Sequence, residues 1–339
     1  MAFAFCHYSI TTKIRLKLTP LYSAVDCGLR VVDGIGLLNR IQGASDIVVL
    51  MYHGVLRRKY SPIMGQAVDR EGFARQIQYL KQRCRIVHPD EINDGYSKLS
   101  RCAERSVLLT FDDGFANNAT LVRPILEDMN VPALFFVCTR HLERGQYLWF
   151  AHARALFSLW PTRVKLLGRM FELSSSSARQ WAFREFKQLA RQLTVDEVYR
   201  ALSAYPVEEF VSPQIIEDEL RGMTKDDLVA IAKTDLIVIG AHTCNHPFLT
   251  RCSKAQLEAE IAFAKLKLEQ ICGRSVTYFA YPDGDYNSAV ASTVTKAGFR
   301  TAFAVHVRDS AAAGMAIPRA GIYRSGTGIL AAKLCGVLN

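Results

Sequence analysis

The sequence predicts an α/β fold with a mostly parallel sheet or barrel, and two observations carry that reading. From residue 46 onward, apolar runs of strand length alternate with amphipathic helical patterns, which is the rhythm of strand–helix units that cross over to build parallel sheets. Strand after strand also ends in polar groups capable of chemistry, and in a parallel barrel all such ends arrive at one mouth. Half of the 339 residues are hydrophobic, enough apolar surface for a sizeable core.

Residues 1–44 precede this rhythm and read as a basic leader. Within it Leu21, Val25, Leu29 and Val32 recur at helical spacing, which suits a helix lying on the main domain or on a membrane surface. "DIVVLMYHG" reads as the first strand, followed by a helix from about Asp69 with Phe73, Ile77 and Leu80 on one face. "VLLTFDDG" is the next strand, with a helix through Leu121, Ile125 and Met129 after it, and "VPALFFVC" is the third. Between roughly 140 and 223 the alternation gives way to a helix-rich stretch with Trp149, Trp160, Trp181 and the patch "SSSS". This is an insertion, either a lid or partner surface or a helical subdomain packed beside the barrel.

"DLIVIGAH" resumes the strands. The helix after it opens on a capping-box pattern, Ser253 and Gln256, carries Leu257, Ile261, Ala264 and Leu268 on one face, and meets Gly273 as a stop. "VTYFAYPDG" and "RTAFAV" supply later strands, the former followed by a helix from Asn287. The main domain is thus expected over residues 45–325, insertion included, with 326–339 as a C-terminal tail.

Charge and cysteine content narrow the function classes. The net charge is +10, and residues 1–60 hold eight Lys or Arg against three Asp. That is a solvated basic surface or a dock for an anionic membrane face or phosphate-bearing carrier. No zinc-finger spacing, RNA-recognition motif or basic stripe with interleaved aromatics points to nucleic acid. The apolar runs are of strand length, so no transmembrane helix is expected, and the N-terminus makes a poor secretory signal. Nine scattered cysteines without a CxxC pair suit a reducing compartment. The expected location is the cytoplasm, with peripheral attachment at the inner membrane face as an option.

The chemistry-bearing strand ends are His53 in "MYHGV", Asp112 and Asp113 in "TFDDG", His242 and His246 in "AHTCNHP", and Tyr281, Asp283 and Tyr286 in "YPDGDY". An HxxxH pair alone is ambiguous between hydrogen-bonded core histidines and ligands, and Pro247 favours a loop over a helix there. Adjacent aspartates alone could be a cap and turn. Together, two imidazoles and a carboxylate suit a borderline-soft divalent metal with one position left for water, and a second carboxylate could then take a proton from that water.

These motifs resemble those of the polysaccharide deacetylase family, carbohydrate esterase family four. "LTFDDG" resembles its first motif, "HTCNHP" its His-x-x-x-His-Pro metal motif, and "FAYPDGDYN" the aromatic-Pro-x-Gly third motif of one branch, the likeness spanning roughly residues 46–322. The resemblance implies a distorted (β/α) barrel with one metal at its mouth, usually zinc and sometimes cobalt or nickel. It assigns Asp112 as catalytic base, Asp113, His242 and His246 as metal ligands, and the backbone N–H of Asp283 as oxyanion donor, with Tyr281 and Tyr286 near the substrate. The third motif's usual arginine falls on Ala280, and Arg319 in "IPRAGI" is the candidate substitute; the usual aromatic after the proline is Asp283. No late Leu-x-His motif supplies the acid histidine, and His306 fits that place poorly. In the branch resembling poly-N-acetylglucosamine deacetylases the acid lies near the first strand, which makes His53 the candidate.

The function this implies is metal-dependent removal of N-acetyl, or less often O-acetyl, groups from a glycan, an N-acetylhexosamine of an envelope or exported polysaccharide or its precursor. Two alternatives stand beside it: a deformylase or deacetylase of a lipid-linked sugar at the membrane face, and a catalytically degenerate glycan-binding barrel.

Overall fold

The computed structural model describes residues 24–29, 47–58, 61, 63–92, 105–305 and 314–336. Leu21, Val32 and His306, singled out in the sequence, fall outside them, as does most of the leader. Thirteen strands are described: β1 (Val48–Tyr52), β2 (Gly54–Leu56), β3 (Ala67–Asp69), β4 (Arg85–Ile86), β5 (Ser106–Phe111), β6 (Ala133–Val137), β7 (Arg163–Leu166), β8 (Arg169–Glu172), β9 (Ile237–Ala241), β10 (Tyr278–Ala280), β11 (Thr301–Ala304), β12 (Ile317–Pro318) and β13 (Ala320–Gly321).

Nine of them make one sheet in the order β12-β11-β10-β9-β6-β5-β1-β13, with β4 also on β5. Every pairing in it is parallel. β12 pairs with β11 and β13 with β1, and only Arg319 separates the two short strands. The single run Ile317–Gly321 therefore bridges both edges of the sheet and rolls it into a nearly closed barrel. β1 lies along β5 from Val48↔Val107 to Tyr52↔Phe111, so β4 and β6 share the opposite edge of β5. That division splays the sheet and distorts the barrel.

The strands read as near-continuous apolar runs because both their faces are buried. One face packs inward: Val49, Leu108, Leu134, Phe136, Phe303 and Ile317 fill the barrel interior. The other face, with Leu50, Leu109 and Phe111, meets the helix Arg70–Arg83 through Phe73, Ile77 and Leu80. Side chains alternate along a strand, so Leu108, Thr110 and, just past the strand, Asp112 share the interior face. The same alternation carries Val49 to His53 and Ile317 to Arg319.

The helices open on the residues expected of them. Asp69 accepts from Gly72 N–H, Ser253 and Gln256 close a capping box on the helix Lys254–Cys272, Gly273 ends that helix at φ 63°, and Asn287 caps Ser288–Lys296. The insertion builds its own apolar cluster, in which Trp149, Phe157, Phe171 and Phe186 meet around a β7–β8 hairpin.

The expected tail is in fact structured over Thr327–Leu334, a helix whose Leu330 and Leu334 join the main core. Its start is capped from a distance, Asp26 Oδ1 accepting the N–H of Ile329 at 3.0 Å. Within the leader, the helical segment 24–29 is thus tied to the barrel by that bond, while Val25 is exposed. Asp26→Ala is predicted to lower stability by about 0.5–2 kcal/mol, as loss of a cap does, measurable by urea unfolding.

Candidate active site

β5 ends at Phe111, and Asp112 and Asp113 follow it into the barrel mouth, both buried. Strand alternation alone would turn Asp113 away from Asp112. Its backbone instead adopts φ 77°, a left-handed conformation costly for a residue with a Cβ, and both carboxylates stay buried at the mouth.

Their surroundings differ sharply. Asp112 receives a bidentate pair from Arg319, Nη1 to Oδ1 at 2.6 Å and Nη2 to Oδ2 at 2.7 Å. Arg319 Nη1 also donates to Thr110 Oγ1 at 3.2 Å, and its guanidinium lies over the Phe136 ring. Burial alone would raise the Asp112 pKa, but Arg319, with smaller help from His242 and His53, brings it down to about 2. Asp112 is a fixed anion at neutral pH.

Asp113 has no such partner: both of its carboxylate oxygens are buried without a hydrogen bond. Burial, reinforced by the charge of Asp112, pushes its pKa well up. Facing it are His242 Nε2 and His246 Nε2, each 3.6 Å from Asp113 Oδ1. His242 donates from Nδ1 to the carbonyl of Ala280 at 2.8 Å, which leaves the Nε2 lone pair aimed at Asp113. Burial lowers the pKa of both histidines, His246 far more, with His242 and Lys187 adding to the effect. They are neutral, as ligands must be.

One ligand atom from each of these three residues falls in a cluster within 4.8 Å. Donors about 2.0–2.2 Å from a tetrahedral ion stand about 3.3–3.6 Å apart, and the two measured separations match. A buried carboxyl group without a hydrogen-bond partner, facing two neutral imidazoles, fits a divalent cation, whose charge would favour its ionised form.

These groups line a cavity of about 220 Å³. His53 reaches it directly after β1; its Nδ1 is buried without a hydrogen-bond partner, and burial, aided by Arg319 and His242 and opposed by Asp112, drops its pKa to about 4. Tyr281 lines the cavity too, but its hydroxyl is committed to the carbonyl of Met315 at 2.7 Å. Tyr286 stacks on Tyr281 with ring centres 4.8 Å apart and packs in the core; it is absent from the cavity wall. Its proximity to the motif in sequence reflects support of Tyr281 from behind.

Asp283, at φ 55°, turns its carboxylate to the insertion, where Lys187 Nζ bonds Oδ1 at 2.6 Å and Arg191 bonds Oδ2. Sequence reasoning missed the rest of the wall. Phe150, Arg154, Phe183 and Lys187 come from the insertion, and Gln66 and Tyr323 from barrel loops. Only the placement of the insertion between two barrel strands hinted at them.

The mouth of the barrel gathers an Asp-His-His cluster that could hold a metal ion beside an arginine-paired carboxylate, and comparison with known proteins gives the class. The model of the polysaccharide deacetylase family matches residues 100–172 and 186–302, more than half of the chain. The chain belongs to that family, whose enzymes are hydrolases acting on amide bonds.

A chitooligosaccharide deacetylase of Azorhizobium caulinodans is 37% identical over 73 residues, a stretch covering 21% of this chain and 35% of that relative. Among solved structures, IcaB from Ammonifex degensii superposes with a TM-score of 0.56 at 20% identity, over 87% of this chain and 98% of that one. The deacetylase PplD of Streptococcus pyogenes, solved with acetate, gives a TM-score of 0.56 at 17% identity, over 88% and 100% of the two chains. At such identities the structures speak for the fold.

Arg319 supplies the prediction here. The pKa of Asp112 is depressed in the fold, so its contribution to stability is full above the unfolded carboxylate range and is lost as pH falls toward about 2. In Arg319→Gln only the smaller effects of His242 and His53 oppose burial, and with Asp112 as the proposed base the acid limb of kcat/KM should move to higher pH by about 1–3 units, read from a pH–rate profile.

Proposed function

We propose that this protein deacetylates a glycan, removing N-acetyl groups from an N-acetylhexosamine of an envelope or exported polysaccharide or its precursor. The observation that carries the reading is the unequal pair: Asp112 held as an anion by Arg319 beside Asp113, whose bare oxygens face His242 and His246.

Asp113, His242 and His246 would hold one divalent cation, with zinc favoured by the donor set and cobalt or nickel as replacements. When bound, the cation supplies Lewis-acid polarisation of the acetyl carbonyl and makes a water molecule more acidic. Asp112 takes the proton of the attacking water, and Arg319 keeps it oriented and ionised until then. The backbone N–H of Asp283 would donate to the oxyanion. The proton that Asp112 takes from the water would be relayed through His53, neutral before reaction, to the departing amine, which leaves Asp112 ionised again. Trp149 and Phe150 of the insertion wall the cavity and offer apolar faces to a sugar ring.

The basic N-terminal sixth of the chain supports a second reading, a lipid-linked sugar as substrate at an anionic membrane face. Removing residues 1–44 should then weaken binding to anionic vesicles, and unchanged binding removes this reading.

The test of the main reading is acetate release from N-acetylated glycan oligomers alongside zinc content. Asp112→Asn should keep zinc and lose about 10²–10⁴ in kcat, whereas Asp113→Ala should lose the zinc itself. Equal loss of metal in both variants would show that the two roles are misassigned.

A further inference from the structure

The loop that carries both histidines has a backbone that its own residues do not explain. Thr243 sits at φ 69° and His246 at φ 56°; left-handed backbone is costly for any residue with a Cβ, and most of all for a β-branched one. Such geometry persists only where the surroundings over-determine it. Within the loop, Thr243 Oγ1 accepts the N–H of His246 at 3.0 Å, which leaves the N–H groups of Cys244 and Asn245 pointing outward together.

Both end on one carboxylate. Glu260, on the buried face of the helix Lys254–Cys272 and only 7% exposed, accepts at Oε2 from Cys244 N–H and from Asn245 N–H, each at 2.9 Å. Its Oε1 accepts Asn245 Nδ2 at 2.6 Å. Successive backbone N–H groups next to a left-handed residue form a concavity for an anion, and Glu260 fills it from within the chain. It does not line the catalytic cavity, so whatever it does there it does through the loop.

We infer that Glu260 is a positioning residue for the metal site, its buried carboxylate fixing the Thr243–Asn245 turn so that His242 and His246 present Nε2 to Asp113 at equal distance. The inference rests on the ligand-set reading proposed above. Second-sphere groups that orient metal-bound histidines typically change affinity 10–100-fold when altered, and here one carboxylate orients two ligands at once.

The test uses the full chain, with zinc affinity measured by chelator competition and the visible absorption of the cobalt-loaded protein as a reporter of ligand geometry. Glu260→Gln preserves size but sets an amide NH₂ against N–H donors. It should bind zinc about 10–100-fold more weakly and shift the cobalt spectrum. A merely structural role would lower the melting temperature and leave both readouts as in wild type, and that result overturns the inference. If Glu260→Gln does not fold, Asn245→Ala decides: it removes one donor and keeps the two backbone bonds, so a smaller loss of zinc affinity is expected, and none overturns the inference. Absence of zinc binding in the wild type would overturn the ligand-set reading itself, an outcome distinct from equal binding by wild type and variant.

Discussion

A buried guanidinium must find anions and acceptors or unfold its surroundings, and Arg319 finds them on Asp112. The residue stands between β12 and β13, in the run that closes the barrel, so the same five residues that join the sheet's edges deliver the cation. Removing one partner of a buried pair costs about 3–5 kcal/mol because the other charge is left stranded. Closure of the barrel and ionisation of the candidate base are therefore coupled: the strand that completes the fold is the one that makes Asp112 an anion.

The ends of the strands obey a simple rule with a local exception. Alternation sends His53, Asp112, His242 and Arg319 into the barrel. It cannot bring two consecutive residues to one mouth, and the chain does so by left-handed turns at Asp113, Thr243, His246 and Asp283. Strained backbone thus gathers at the functional rim, where neighbouring contacts hold it. The apolar interior below, crowded enough that a Cβ on Gly240 would meet the Phe136 ring at 2.6 Å, gives those turns a rigid base.

How much of this was legible in the sequence depends on range. Apolar runs of strand length and caps are local, so the strands, the Ser253 capping box and the polar strand ends could be read directly. The three motifs marked Asp112, Asp113, His242 and His246, and Arg319 was reached by asking what could replace a missing arginine. What could not be read is what depends on distant partners. Tyr286 looks like a site residue until its ring is seen stacked behind Tyr281. Asp26 lies in a leader whose helical spacing gives no sign of a distant partner, yet it caps a helix some 300 residues later. Glu260 occupies an ordinary buried helical position, and nothing in its neighbours announces the loop it holds.

Asp283 joins these threads. As an unusual carboxylate in the third motif it suggested a degenerate pocket, but its charge is taken up by Lys187 and Arg191. Arg191 also lies over the Phe248 ring at 4.5 Å, and Trp149 Nε1 donates to the carbonyl of His246 at 2.8 Å. The insertion is thereby bound to the loop after β10 and to the histidine loop at once. Lifting it as a lid would break two ion pairs, a buried hydrogen bond and an apolar cluster together. The departure at Asp283 is the barrel's half of that joint.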